Sequence, residues 1–321
     1  MTAGRSDIPV LRTIDVYFIV QSVIYTALTI AYAAKLKNPT GLILQNTLYI
    51  AGIVAVNVLL HRTTNIVLLG VRVCAMIPAI ILLFFQVFDL IPVANPRNFD
   101  AAFISADRAL FGGNPTYWLG GFANPVLTEI LQIAYILYFL HPFVLAIELF
   151  LTRRYAELTR LMRYVAFAFL LSYLLYFAAP AVGPRFTLHN YHTTNIDLPG
   201  LLLTDPIRLF VDAGDNVALN SSDPAATVHR NCMPSGHTLI AVMNLVLAFR
   251  FQARLRYVFA VLTTLLVIST VYLRYHYVVD ILAGMALVWV ALAVEPWVHR
   301  FLARQKLCGD ILETYSREPR R

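Results

Sequence analysis

Eight stretches of this chain are apolar over close to, or beyond, the length needed to cross a bilayer: about 13–34, 41–61, 66–92, 125–151, 160–180, 236–250, 257–274 and 278–298. A ~30 Å hydrocarbon core takes about 20 helical residues, and lipid offers no partner to an unpaired peptide group. Composition agrees. With 59% hydrophobic and only 13% charged residues, the chain falls well short of the roughly 25% charge of a soluble domain. The prediction is an all-α, polytopic membrane bundle of about eight transmembrane helices. The run at 236–250 is short, and its helix is expected to begin in the headgroup region.

The basic residues give the orientation. Arg153, Arg154, Arg160 and Arg163 form one cluster, Arg250, Arg254 and Arg256 a second, and Arg300, Arg304 and Lys306 a third. Short basic connections stay in the cytoplasm, so both termini are predicted there, with 95–124, 181–235 and the turn near 274–277 outside. Lys35 and Lys37 fall on the outer side against the rule. The net charge of +7 is thus a topology signal and not a sign of nucleic-acid binding. Arg5 and Arg12 precede an apolar run of about 20 residues without a cleavage pattern, which reads as a retained first span and not a signal peptide. Cys74, Cys232 and Cys308 have neither the spacing of a zinc site nor the even count of a disulfide framework. The predicted organisation is N-terminal transmembrane helices at 1–94, an outer interfacial segment at 95–124, a core at 125–300 and a cytoplasmic tail at 301–321. The segment from Pro180 to about Met233 is rich in Asn, Asp, Thr, Pro and Gly, which favours irregular loop over helix. No internal repeat supports an inverted-repeat transporter.

Two motifs carry chemistry. Pro234-Ser235-Gly236-His237 opens an apolar run, and a helix N-terminus offers free N–H groups and a positive dipole end to an anion. There the Ser235 hydroxyl and the Gly236 N–H would bond a phosphate, with His237 as a proton donor; the plain alternative is a helix cap with an incidental histidine. The second motif is Tyr272-Leu273-Arg274-Tyr275-His276-Tyr277-Val278-Val279-Asp280. Four residues separate His276 from Asp280, so both are predicted to project from one helical face. The carboxylate would fix the ring's tautomer and leave the other nitrogen as a nucleophile; the alternative is a structural His–Asp pair. The arginine-derived topology puts both motifs on the outer face.

Together the motifs resemble those of the type 2 phosphatidic acid phosphatase (PAP2) superfamily, which read P-S-G-H and S-R-x5-H-x3-D. The stretch Ser269-Thr270-Val271-Tyr272-Leu273-Arg274-Tyr275-His276-Tyr277-Val278-Val279-Asp280 is most similar to the inositol phosphorylceramide synthase group. The resemblance implies a six-helix core over about 125–298 and catalysis by His276, Asp280 and His237, with no cofactor and no metal. Phosphate would be held by Ser235, Gly236, Arg185 and Arg274. The two arginines stand in for missing cations, since Thr270 occupies the place of the superfamily arginine and no K-x6-R-P motif is present. The implied reaction transfers a phospho-headgroup between membrane lipids through a phosphohistidine; with water as acceptor the same residues make a lipid phosphatase. A lipid transporter using the His–Asp pair as a proton relay is the alternative of another class. Expected partners are membrane lipids, not nucleic acid, and the expected location is the cell membrane. His189, His192 and His229 are read as loop residues, His141 as a core histidine, and Asp107, Arg108, Tyr117 and Trp118 as an interfacial anchor.

Overall fold

The computed structural model describes residues 9–60, 63, 65, 67–68, 70–71, 76–217 and 221–309; Arg5, Cys74 and the tail from 310 lie outside the described residues. Among the described residues there is no β-strand. The principal helices are α1 (Thr13–Ala31), α2 (Pro39–Leu60), α3 (Met76–Ala94), α4 (Asp100–Phe111), α5 (Pro125–Ile136), α6 (His141–Leu151), α7 (Tyr155–Leu175), α8 (Thr204–Gly214), α9 (Gly236–Arg250), α10 (Arg256–Tyr272) and α11 (Val278–Arg304). Among the described residues, six helical stretches are long and apolar enough to cross a membrane: α1, α2, α3, α5 continued through α6, α7 and α11. The other two predicted spans are α9 and α10, apolar helices of 15 and 17 residues. The protein is therefore an all-α, integral membrane protein.

Local chemistry sets the helix starts. Pro125 occupies the first turn of α5, where its missing N–H costs nothing, and the Asn124 side chain accepts from Leu127 N at 3.0 Å. Ser235 caps α9 in the same manner. One expectation is corrected: the segment after Pro180 is not all irregular, because it contains the 11-residue helix α8. Its polar composition hid a local helical pattern, and its N-terminal donors are satisfied from a distant helix that no local reading finds.

The chain divides into two compact units, one of residues 1–94, 146–173 and 290–321, the other of 95–145 and 174–289. In the first, α1 packs on α2 and α3, and polar groups pair inside: Gln86 donates to Asn46 at 2.9 Å, and Asn46 to Thr26 at 3.1 Å. Arg163, counted above among the topology-setting arginines, is buried and donates to Glu295 at 2.9 Å, which also accepts from Tyr17 at 3.0 Å. A charge out of water needs such a partner. The second unit holds every candidate site residue. Its core joins Leu131, Tyr135, Leu198, Val211, Tyr272 and Leu273, with a second cluster of Phe103, Ala181, Cys232 and Tyr277.

Candidate active site

The two motifs, 39 residues apart, are clamped together through backbone. Ser235 N donates to the Asp280 carbonyl at 3.0 Å, and a Cβ placed on Gly284 would lie 2.7 Å from the Ser235 carbonyl oxygen. Only glycine permits that approach. Above this clamp His237 Nδ1 stands 3.3 Å from His276 Nε2, and His276 Nδ1 stands 3.4 Å from Asp280 Oδ2. A ring carrying its proton on Nδ1, toward the carboxylate, presents a lone pair on Nε2 toward His237.

His276 does not share a helical face with Asp280, as the four-residue spacing suggested. It lies in the non-helical stretch before α11, and Asp280, in the first turn, reaches back to accept from Tyr277 N at 2.9 Å. That is the return half of a capping box, which serves to aim the carboxylate. Cys232 adds a third donor, its Sγ 2.9 Å from Asp280 Oδ2. Burial, and then the Asp280 and Asp100 carboxylates, pushes this thiol well above its usual range, so it stays a protonated donor. Cys232 Sγ, His276 and Asp280 offer three ligand atoms within 4.8 Å of one another, the grouping that could hold a metal ion.

Helix α4 fastens the segments around the histidine. Asp107 accepts from Val278 N and Val279 N, both at 2.9 Å, and so caps α11. Asp100, two turns earlier on the same side, accepts from Val182 N at 2.9 Å, Gly183 N at 2.8 Å and the Tyr277 hydroxyl at 2.8 Å. Gly183 has φ +98°, and a Cβ there would meet the Tyr275 carbonyl at 3.0 Å. The turn after α10 passes through Arg274 at φ +67°, the left-handed position that usually ends a helix on glycine.

Arg185 is buried. It donates to Asp212 at 2.6 Å and Asp215 at 3.3 Å, and its guanidinium lies 5.0 Å from the Tyr275 ring. Tyr275 stacks on Tyr135 at 4.4 Å, and Tyr135 packs on His237 at 4.6 Å, which links the arginine to the histidine pair through two rings. Asp215 is pushed up to about 6, by burial first and by Asp212, against the opposing pull of Arg185. Arg274 is bound to Asp197 at 2.8 Å. The Ser235 oxygen accepts from Thr238 N at 3.3 Å and is fully buried, while a Cβ on Gly236 would meet the Tyr176 hydroxyl at 2.7 Å.

A model of the PAP2 superfamily matches residues 101–294, more than half of the chain. The chain belongs to the PAP2 superfamily. Comparisons with curated proteins and with solved structures return no match. As a PAP2 protein with membrane-spanning helices it is a phosphatase or phosphotransferase acting on phosphorylated lipids.

The matched region of this PAP2 enzyme begins within α4 and so includes Asp107, read from sequence as part of a surface anchor but buried here as the cap of α11. Thr270, at the position of the superfamily arginine, is also buried; its carbonyl accepts from Tyr275 N at 2.9 Å and His276 N at 3.0 Å. Cys232 was considered from sequence only for zinc or disulfide spacing, and its bond to Asp280 is made by the fold. Outside the site, His189 bonds Thr116 at 2.9 Å, and burial, then the nearby Arg274, lowers it to about 4. His192 packs edge-on against Tyr191, and burial lowers His229 to about 3. His141 is buried with its ring edge-on to Phe259. Tyr117 donates to the Leu188 carbonyl at 2.6 Å.

Proposed function

We propose that this PAP2 enzyme is a lipid phosphotransferase that moves a phosphoinositol-like headgroup from a donor phospholipid to a ceramide- or diacylglycerol-like alcohol. The observation that carries the reading is the relay Asp280–His276–His237. His276 Nε2 attacks phosphorus with its lone pair, the bond from phosphorus to the leaving oxygen breaks, and His237 gives that oxygen its proton. The acceptor hydroxyl then yields its proton to His237, its oxygen attacks phosphorus, and the phosphorus–nitrogen bond breaks. Positive charge and N–H groups around the equatorial oxygens supply most of the stabilisation in such transfers. Arg185, Arg274 and the N-terminus of α9 are assigned that task.

The spacing of the two rings bears on how they would share a substrate. A nucleophile in near-attack stands about 3–3.5 Å from its target, and the proton donor about 2.6–3.2 Å from the leaving oxygen. Two nitrogens serving one phosphate therefore stand well beyond the 3.3 Å between His237 Nδ1 and His276 Nε2, and substrate parts the rings. Arg185 keeps a donor for a phosphate oxygen, because Nη1 and Nη2 bind Asp212 and Asp215 while its buried Nε has no hydrogen-bond partner among the described residues. The choice of acceptor rests on the likeness of 269–280 to the inositol phosphorylceramide synthase group, and the arginine distribution supports a site on the non-cytoplasmic face of the cell membrane.

Purified protein given phosphatidylinositol and a fluorescent ceramide or diacylglycerol is expected to form a new fluorescent phospholipid, and His276→Ala to form none. Release of inositol phosphate or phosphate alone would replace transfer with hydrolysis. A His276→Ala protein as active as wild type would remove the histidine mechanism altogether.

A further inference from the structure

Helix α8 buries polar groups and exposes apolar ones. Its inward side carries Thr204, Arg208 and Asp212 beside Val211 of the core, all buried. Its outward side carries Leu209 and Phe210, with Leu202 and Leu203 just ahead, exposed by 51, 62, 85 and 50%. The inward polar groups are satisfied inside the protein. Arg208 donates to Asn195 at 2.7 Å and to the Leu198 carbonyl at 2.6 Å, and Asp212 accepts from Arg185 and from Tyr191 at 2.7 Å. The N-terminal donors of α8 converge on Glu129 of α5, whose carboxylate accepts from Leu201 N, Leu202 N, Leu203 N, Thr204 N and the Thr204 hydroxyl. Nothing polar is left for water on the outward side except Asp205 at the helix start. An apolar face of this kind, broken by the exposed Asp205 one turn before Leu209, marks a contact surface.

Two lengths say what covers it. Helices α9 and α10 adjoin the histidine pair at residues 236 and 272 and have 15 and 17 residues, about 22 and 25 Å at 1.5 Å per residue. Both fall short of a ~30 Å hydrocarbon core, so roughly 5–8 Å of the crossing at this point is completed by other structure. Helix α8 runs beside the 125–151 span: its start is bound by Glu129, and Phe210 meets the Phe139 ring at 6.4 Å, ten residues or about 15 Å further along. Phe139 is itself 45% exposed on that membrane-spanning stretch. The apolar side of α8 is thus continuous with a lipid-facing surface. Irregular backbone at membrane depth survives only when its polar groups are met within protein, which is what Glu129 and the inward side of α8 provide.

We propose that α8 is a re-entrant helix whose Leu202, Leu203, Leu209 and Phe210 face is immersed in the bilayer's acyl chains, while its polar face walls a site recessed below the hydrocarbon boundary. This rests on the membrane spans and not on the transfer reaction. Full-length Phe210→Trp protein in phosphatidylcholine nanodiscs tests it, through the emission added over wild type with its own Trp118, Trp289 and Trp297. Immersion predicts that acyl chains brominated in their upper segment quench more than half of that added emission and that aqueous iodide quenches little. Quenching by iodide and not by the brominated chains would overturn the proposal. Leu202→Trp is a second reporter on the same side and must give the same result. Neither readout requires activity, so failure of the transferase assay leaves this test intact.

Discussion

Adding one methyl group at Gly284 should disable the site without touching a catalytic side chain. The new Cβ would lie 2.7 Å from the Ser235 carbonyl oxygen, 3.3 Å from Thr238 Cβ and 3.4 Å from Leu239 N. That oxygen is backbone and already accepts from Leu239 N at 3.0 Å, so no rotamer relieves the clash and α9 must part from α11. Restoring contact at about 3.4 Å takes ~0.7 Å of movement, which opens the 3.0 Å Ser235–Asp280 backbone bond to ~3.7 Å, outside hydrogen-bond range. His237, two residues beyond Ser235, moves with it relative to His276. A misplacement near 1 Å costs about 10²-fold in rate, or ~2.7 kcal/mol of transition-state stabilisation; the overpacking itself costs about 1–3 kcal/mol of stability. The assay is kcat/KM for whichever lipid reaction the wild type performs, with thermal unfolding in the same detergent. Gly52→Ala in α2, where a Cβ meets nothing within 4 Å, is the control and should keep full turnover while gaining up to ~1 kcal/mol of helix stability. A Gly284→Ala enzyme with wild-type kcat/KM and midpoint would refute the backbone clamp.

Asp280→Asn should lower kcat by about 10²–10⁴ by losing the charge that orients His276; a rate within a few-fold of wild type at saturating lipid would deny the carboxylate that part. Cys232→Ser keeps a donor for Asp280 and should unfold near wild type, whereas Cys232→Val removes it and should cost about 1–3 kcal/mol; equal midpoints would reduce the thiol to packing. Asp107→Ala frees two N–H groups of α11 and should lower stability by about 2 kcal/mol, as loss of a strong cap does; an unchanged melting temperature would count against the capping. For His189, burial and Arg274 lower the folded-state value to about 4, below the ordinary value of about 6.5, so between these the unfolded chain binds the extra proton and stability rises with pH. Its contribution is complete above that ordinary value and is lost as pH falls toward about 4. His189→Gln should flatten the melting curve in that window, and an identical pH dependence would contradict the assignment.

Sequence alone determined the membrane-spanning helices and the two motifs, because hydrophobic length and short spacings are local properties that a bilayer or a helix cap reads directly. Pro234 to His237 marks a helix start whatever surrounds it, and apolar runs of about 20 residues have few other destinations. What the local pattern missed depended on groups far apart in the chain. The Asp280 carboxylate is aimed by Tyr277 N and Cys232, α11 is capped by Asp107, and Arg185 rests against Asp212 and Asp215. Those contacts exist because buried polar groups must find partners wherever the fold brings them, and packing, not spacing, chooses which ones. The same rule turned Asp107 from an anchor residue into a cap, and gave the 181–235 segment a helix with its apolar side outward.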